Sequence, residues 1–199
     1  ESRVWQLLVA TPMTRAGFLL ATSVLPELTE ETAGYAGTSL QRIAELAGLS
    51  KSSVLYHYAS KEALLEAAIG PAIDRMIAIL EPLVGLELDD DARTTFLEAF
   101  VDFLLDHRLE VHMFINQGPS LVDVPVIDRA NALVFRLAEF FSANSASLEE
   151  KMRFGIALGG AAYMLCTVHS LDLPVEPREE TRVALLTIMG ELLAPVRIR

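Results

Sequence analysis

The strongest constraint on the fold is a tight turn between two short helical patterns near the N-terminus. The run IAELAGLSKSSVLYHY, residues 43–58, has apolar side chains at helical spacing on both sides of Gly48. Glycine readily takes the left-handed conformation that ends a helix, and the hydroxyl of Ser50 can cap the next helix. The pattern predicts one helix ending near Ala47, a turn, and a second helix over residues 51–57. Two helices joined in this way form a helix-turn-helix.

The rest of the chain also has helical periodicity, and no segment has the clear alternation of apolar and polar residues that is typical of a strand. The sequence therefore predicts an all-α fold. A first helix is predicted over 14–32, with a kink or split at Pro26, and a long one over 61–83, interrupted at Gly70-Pro71. Further helices are predicted over residues 91–106, 109–117, 124–143, 148–171 and 178–194.

The charge distribution permits DNA binding but does not predict it. The net charge is -11, and residues 66–199 hold most of it, with eleven Lys and Arg against twenty-one Asp and Glu. Residues 1–65 are nearly neutral, with five basic against six acidic side chains. The N-terminal part would tolerate a polyanion, although it has no broad basic surface. The acidic C-terminal part favours cationic or neutral ligands over anions.

A membrane or secreted location is not predicted. The single Cys166 excludes an intramolecular disulfide and a cysteine-based zinc site, which fits a cytoplasmic protein. The uncharged run 154–171 approaches the minimum length of a membrane span, but its three glycines and its polar side chains favour a buried helix. The apolar run 4–10 lacks the basic lead of a targeting signal.

The segment TSLQRIAELAGLSKSSVLYHYASKEALL, residues 38–65, resembles the signature of the TetR (tetracycline-repressor) family of bacterial transcriptional regulators. The match has no gap. Its elements are Thr38-Ser39 at a helix start, Ile43-Ala44 facing the core, the turn residues 47–50, the aromatic run 56–58 and the helix start 60–64. The remaining chain agrees with the family in length and in helical character.

The resemblance implies an N-terminal DNA-binding domain, residues 1–66, and a C-terminal ligand-binding and dimerisation domain, residues 67–199. It implies a regulator, most simply a repressor, that binds operator DNA as a homodimer and responds to a small-molecule effector. Bases would be contacted by the second helix of the motif, and phosphates by its flanks. The implied DNA-contacting residues are Thr38, Ser39, Lys51, Ser52, Ser53, Tyr56, His57 and Lys61.

Two departures from the signature keep an alternative open. Leu55 occupies a position where the family usually has a tyrosine that contacts the DNA backbone, and Tyr58 replaces the usual phenylalanine. The motif also lacks a basic excess. A TetR-like module that has lost specific DNA binding, but still binds a ligand or partner, would have the same features.

The C-terminal part offers candidate binding residues but no catalytic motif. Polar groups within apolar helices suit a small-molecule cavity, and small residues on one helix face suit close helix pairing. The candidate ligand residues are His107, His112, Met113, Asn116, Gln117, Phe135, Tyr163, Cys166 and His169. The candidate dimer residues are Gly155, Gly159, Ala162, Leu185, Ile188, Met189 and Leu192.

An enzyme, a cofactor and a metal site are not predicted. The sequence has no glycine-rich phosphate loop and no Gly-x-Ser-x-Gly motif. His107 and His112 are five residues apart, which does not match the one-turn spacing of a helical metal pair.

Overall fold

The computed structural model describes residues 34–83, 89–118, 121, 123–143, 145, 147–170 and 176–194. Its regular elements are helices, which confirms the all-α prediction. The predicted first helix and Pro26 lie outside the described residues. The helices are α1 (Gly34–Gly37), α2 (Leu40–Leu46), α3 (Lys51–His57), α4 (Lys61–Leu80), α5 (Asp90–Asp106), α6 (Arg108–Gln117), α7 (Pro125–Ala143), α8 (Leu148–Ser170) and α9 (Arg178–Leu193).

The chain divides into two compact units. The first comprises Glu1–Pro71 and Met113–Asp128, and the second comprises Ala72–His112 and Arg129–Arg199. The helix-turn-helix belongs to the first unit, and α5, α8 and α9 belong to the second. The predicted domain boundary at residue 66 stays a prediction.

Helix starts in the described residues follow the local sequence closely. The hydroxyl oxygen of Ser60 accepts the backbone N–H of Ala63 at 3.1 Å and caps α4. The carboxylate of Asp89 accepts the backbone N–H of Ala92 at 2.7 Å. Helix α5 therefore begins at Asp90, one residue earlier than predicted. Such side-chain caps satisfy amide groups that have no partner inside the helix.

The predicted interruption at Gly70-Pro71 is wrong, because α4 continues through both residues to Leu80. A short 3₁₀ turn, Glu81–Leu83, follows it. Proline removes one backbone donor, but apolar side chains on both sides of it are buried, Ile69 before and Ile73 after. Burial on this scale offsets the cost of one lost helical hydrogen bond.

Aromatic residues form part of the core of the second unit. Phe96 stacks on Phe100 of the same helix, with ring centroids 5.7 Å apart. Phe141 of α7 lies 5.5 Å from Phe96 and 4.2 Å from Phe154 of α8. Helices α5, α8 and α9 also pack on one another. The aromatic face of α5 is therefore its inner face.

The uncharged run in α8 does not make a membrane helix. Among the described helices, none is both long enough and apolar enough to cross a bilayer.

Candidate nucleic-acid interface

The turn between α2 and α3 has the geometry that its sequence predicts. Gly48 has a φ of +66°, in the left-handed region. The backbone N–H of Leu49 donates to the carbonyl oxygen of Ala44 at 2.8 Å, and that of Gly48 donates to Glu45 at 3.0 Å. This pair of bonds is the Schellman motif, which satisfies the last carbonyl groups of a helix. It fixes the direction in which α3 leaves the turn.

Three serine hydroxyls meet at the first turn of α3. The hydroxyl oxygen of Ser50 accepts the backbone N–H of Ser53 at 3.0 Å. The same oxygen lies 2.9 Å from the hydroxyl of Ser52 and 2.8 Å from that of Ser53. All three residues are exposed. The first turn of α3 therefore presents small hydroxyl groups that can both donate and accept hydrogen bonds.

One face of α3 anchors the helix and the other is uncovered. Val54 is only 5% exposed and borders a small apolar crevice with Ile43 and Leu64. Tyr58, just after the helix, is also buried, so its role is packing. Tyr56 is 85% exposed, and its ring meets the His57 ring edge-on at 5.1 Å. A seven-residue helix held by one buried valine leaves nearly all its polar side chains to solvent.

Most of the predicted DNA-contacting side chains share this exposure. They lie on α3 or at the start of α2, where the hydroxyl oxygen of Ser39 caps the backbone N–H of Arg42 at 3.2 Å. The exposed members of the predicted set are Ser39, Lys51, Ser52, Ser53, Tyr56 and His57.

Lys61 and Thr38 differ from the prediction. The ammonium group of Lys61 donates to the backbone carbonyl oxygens of Tyr35 at 2.8 Å and Thr38 at 3.1 Å. It also lies 4.2 Å above the centre of the Tyr35 ring, a cation–π geometry. Thr38 itself is buried. Lys61 therefore ties α4 to the segment before α2, and the side chain of Thr38 is not on the surface to meet a phosphate.

Tyr35 is a structural residue that sequence reasoning did not single out. Its side chain is buried, and its hydroxyl has no hydrogen-bond partner in the described structure. Burial, with a smaller contribution from the Glu62 carboxylate, raises the pKa of Tyr35 to about 12. The ring is thus an uncharged support for Lys61. The available sequence signal was an aromatic residue just before a helix-opening Thr-Ser pair, which alone is too common to identify it.

The candidate ligand residues of the second unit fall into two groups. Nδ1 of His112 donates to the backbone carbonyl oxygen of Cys166 at 2.9 Å, and Cys166 is buried. Burial raises the pKa of the Cys166 thiol to about 11, so it stays protonated at neutral pH. Phe135 and Tyr163, by contrast, are 67% and 57% exposed. Neither ring lines an interior cavity of the single chain, so these two assignments are corrected.

The other candidate ligand residues do not form a recognisable group. His107 is half-buried, and its Nδ1 lies 3.5 Å from the carboxylate of Glu110. Met113 is fully buried and Asn116 is exposed, in the first unit. The side chains of Gln117 and His169 lie outside the described part of the structure. Within that part, no cluster of His, Cys, Asp or Glu could hold a metal ion.

Three of the seven predicted dimer residues are exposed on α8 and α9, three are half-buried and one is buried. Gly155 and Gly159 are exposed, and a Cβ atom added at either would meet no atom within 4 Å. Ile188 is exposed, while Ala162, Leu185 and Leu192 are half-buried. Met189 is only 1% exposed, so its assignment is corrected: it packs inside the chain and has no surface to offer a partner.

Sequence reasoning missed several exposed apolar side chains around this glycine stripe. Met152 and Ile156 of α8 are exposed at helical spacing, as is Val183 of α9. The spacing of Met152 and Ile156 from the glycines was a usable signal, because residues three and four apart share a helix face.

Comparison with known proteins identifies the helix-turn-helix segment. Residues 31–68 match the model of the family described as bacterial regulatory proteins, tetR family. The chain is 48% identical over 111 residues to the HTH-type transcriptional regulator RutR of Escherichia coli (strain K12), covering 51% of this chain and 52% of RutR. The chain thus spans about half the length of the curated relatives it matches.

Solved structures share the fold at low sequence identity. The TetR-family regulator PfmR from Thermus thermophilus aligns with a TM-score of 0.58 and 21% identity, over 88% of this chain and 97% of PfmR. The ketosteroid transcriptional regulator KstR2 of Mycobacterium tuberculosis aligns with a TM-score of 0.62 and 14% identity, over 94% and 96%. Residues 31–68 are therefore similar to the tetR family of bacterial regulatory proteins, and the chain shares the all-α fold of solved TetR-family regulators.

Proposed function

We propose that this chain is a ligand-responsive transcriptional regulator, acting as a repressor, that binds operator DNA as a homodimer. The observation that carries the proposal is the uncovered face of α3. Val54 holds the helix against the rest of the motif while its polar side chains remain exposed. A helix presented in this way can enter the major groove, which admits an α-helix and displays the donor and acceptor pattern of each base pair.

The order of groups along α3 suits the usual division between base and phosphate contacts. Lys51, Ser52 and Ser53 occupy the first turn, the part of a recognition helix that meets base edges. Lys51 can donate to guanine, and the serine hydroxyls can contact any base. Tyr56 and His57 follow one turn later and would donate to phosphates, which positions the helix without reading sequence.

The homodimer is proposed from the exposed apolar side chains on α8 and α9. Met152, Ile156 and Val183 have no cover in the single chain, and Gly155 and Gly159 leave open space for a neighbouring backbone. Two copies of such a helix pair would form a self-complementary four-helix interface. A dimer would also place two copies of α3 on two half-sites of a palindromic operator.

The effector site is proposed in the second unit. His112 and Cys166 bring polar groups of α6 and α8 to the same place. A ligand bound there can change DNA affinity by no more than the difference between its own binding free energies for the DNA-binding conformation and the other conformation. This difference is typically about 1–3 kcal/mol.

A selection from random duplex DNA tests the central proposal. The purified chain should enrich a palindromic sequence, and binding to it should weaken linearly with the logarithm of salt concentration. A gel-shift assay with the DNA upstream of the protein's own gene should then show binding at the same sequence. Failure to enrich any sequence, together with no salt-dependent binding, would contradict the proposal.

The alternative function is a TetR-like module that has lost specific DNA binding and binds a ligand or partner. Two observations favour it over a typical regulator. Leu55 is exposed at a position where a tyrosine usually contacts DNA, and the ammonium group of Lys61 is engaged by carbonyl oxygens. The same selection distinguishes the two, because the module would show weak binding without sequence preference.

A further inference from the structure

Arg108, at the start of α6, has a side chain that lacks the partner expected for a partly buried cation. Its Nε atom is buried and has no hydrogen-bond partner in the described structure. The residue as a whole is half-buried, and Nε is the one guanidinium nitrogen of Arg108 that is both buried and without a partner among the described residues. An unpaired charge taken out of water is costly, and buried cations in proteins are normally paired with an acid.

The other half-buried arginines of the second unit all have such partners. Arg93 pairs with Asp90 at 2.7 Å, and Arg153 pairs with Glu149 at 2.9 Å. Arg182 donates two hydrogen bonds to the carboxylate of Asp102. Among the half-buried arginines that the structure describes, Arg108 is therefore the exception.

The acidic residues nearest to Arg108 in the chain are directed elsewhere. Asp106 forms an ion pair with Arg178 at 2.9 Å. Glu110 lies 3.5 Å from Nδ1 of His107. Arg108 is also the first residue of α6, where the positive end of the helix dipole disfavours a cation. Both the missing acid and the helix position call for an anionic partner from outside the chain.

Two other groups of the second unit lie at the same place. His112 is four residues after Arg108, so the two share a face of α6. His112 is hydrogen-bonded to the carbonyl oxygen of Cys166, and the positive charge of Arg108 acts on the Cys166 thiol. Arg108 and His112 thus lie on one face of α6, and His112 places that face against Cys166 of α8.

We propose that Arg108 binds the carboxylate of a small organic ligand, next to His112 and Cys166. The proposal rests on the effector role proposed above for the second unit and names the chemical class of the effector. A guanidinium binds a carboxylate through two parallel hydrogen bonds, which fits a single organic acid better than a neutral ligand. The acidic C-terminal part led us to expect a cationic or neutral ligand. Salt screens such surface charges over about 8 Å, so they affect a bound ligand less than a guanidinium in direct contact with it.

Thermal unfolding of the full chain with matched probes tests the proposal. The probes are acetate, hexanoate and phenylacetate, each compared with its amide. At least one carboxylate should raise Tm saturably, by about 3 °C or more at roughly ten times its Kd, while its amide should not. In the Arg108→Met variant the rise should disappear. The matched control is Arg136→Met, which removes an exposed arginine of the same unit and should keep the rise.

The variant has a second readout that needs no ligand. Because methionine removes an unpaired charge, Arg108→Met should raise the Tm of the free protein by about 2 °C. A fall in Tm, or the absence of any Arg108-dependent rise with all three carboxylates, would overturn the proposal. DNA binding by the same proteins is measured in parallel without probe. If the wild-type protein does not bind DNA but still shows the Arg108-dependent rise in Tm, the proposed regulator is overturned and the carboxylate site stands.

Discussion

Helix α3 of the first unit and helix α8 of the second both have uncovered side chains, but of opposite kinds. On α3 the exposed groups include Lys51 and Tyr56, and the buried anchor is a single valine. On α8 the exposed groups include Met152 and Ile156, set around glycines. Polar groups lose little by staying in water, whereas exposed apolar clusters gain by being covered. This contrast is the reason that a polar partner is proposed for α3 and an apolar one for α8.

The largest expected effect comes from filling the glycine stripe of α8. Gly159→Leu should dissociate the proposed dimer, because a leucine would hold two close-packed helices apart. Operator affinity should then fall about 100-fold, since simultaneous binding to two half-sites is lost. Light scattering at micromolar concentration and gel shifts measure the two effects.

Gly160→Leu is the control for this change. Gly160 lies outside the predicted stripe, and a Cβ added there also meets no atom within 4 Å. This variant should remain a dimer. If the wild-type protein is a monomer, α8 has no apolar partner in a second copy of the chain. If the Gly159→Leu variant is still a dimer, the interface does not include Gly159.

The next effect separates supporting from contacting residues in the first unit. Lys61→Met removes two hydrogen bonds from a charged donor, so the free energy of unfolding should fall by about 2 kcal/mol. Urea unfolding measures it. Tyr35→Phe keeps the ring and deletes a hydroxyl without a partner, so its stability should be unchanged or slightly higher. If Lys61→Met instead keeps its stability and lowers the salt slope of DNA binding, Lys61 contacts phosphate.

A smaller effect tests the polar face of α3 directly. Lys51→Ala should weaken operator binding about tenfold and alter the preferred bases, because it removes a proposed base contact. Tyr56→Phe should weaken binding to all sequences about equally, by roughly fivefold, through one lost phosphate hydrogen bond. Lys151→Ala removes an exposed lysine of α8 and serves as the charge control. Equal losses for Lys51→Ala and Lys151→Ala would mean that α3 contributes only net charge.

The smallest effect concerns the ion pair between Arg182 and Asp102, which lies within the second unit. Hydrogen bonds from Arg182 hold the pKa of Asp102 below its usual range. The pair therefore stabilises the fold above about pH 4 and loses this contribution as pH falls through the lowered pKa. Asp102→Asn should cost at most about 1 kcal/mol at pH 7, because the carboxylate is partly exposed, and nothing at low pH.

A double-mutant cycle with Arg182→Met checks this assignment. In that background Asp102→Asn should lose most of its effect on urea unfolding at pH 7, with a small remainder from Arg178, which lies 3.7 Å from the carboxylate. An undiminished loss would assign the effect to another partner of Asp102.

The helix-turn-helix was predictable because its determinants are local. Gly48 ends α2, and Ser50 caps α3 within three residues of its own position. Helix ends elsewhere were predicted to within a few residues for the same reason. Gly70-Pro71 was the exception among the described helices, since the continuity of α4 depends on the burial of its apolar side chains and not on the local propensity of two residues.

The sequence by itself determined the helical fold and the short helix whose polar side chains face solvent, because spacing and capping act between near neighbours in the chain. Only the tertiary structure decided the carbonyl contacts of Lys61 and the missing partner of Arg108 Nε. Lys61 looked like a phosphate contact until its carbonyl partners, 23 and 26 residues away, were in place. Arg108 gave no signal, because whether a charge has a partner depends on burial and on which acids other cations have already engaged.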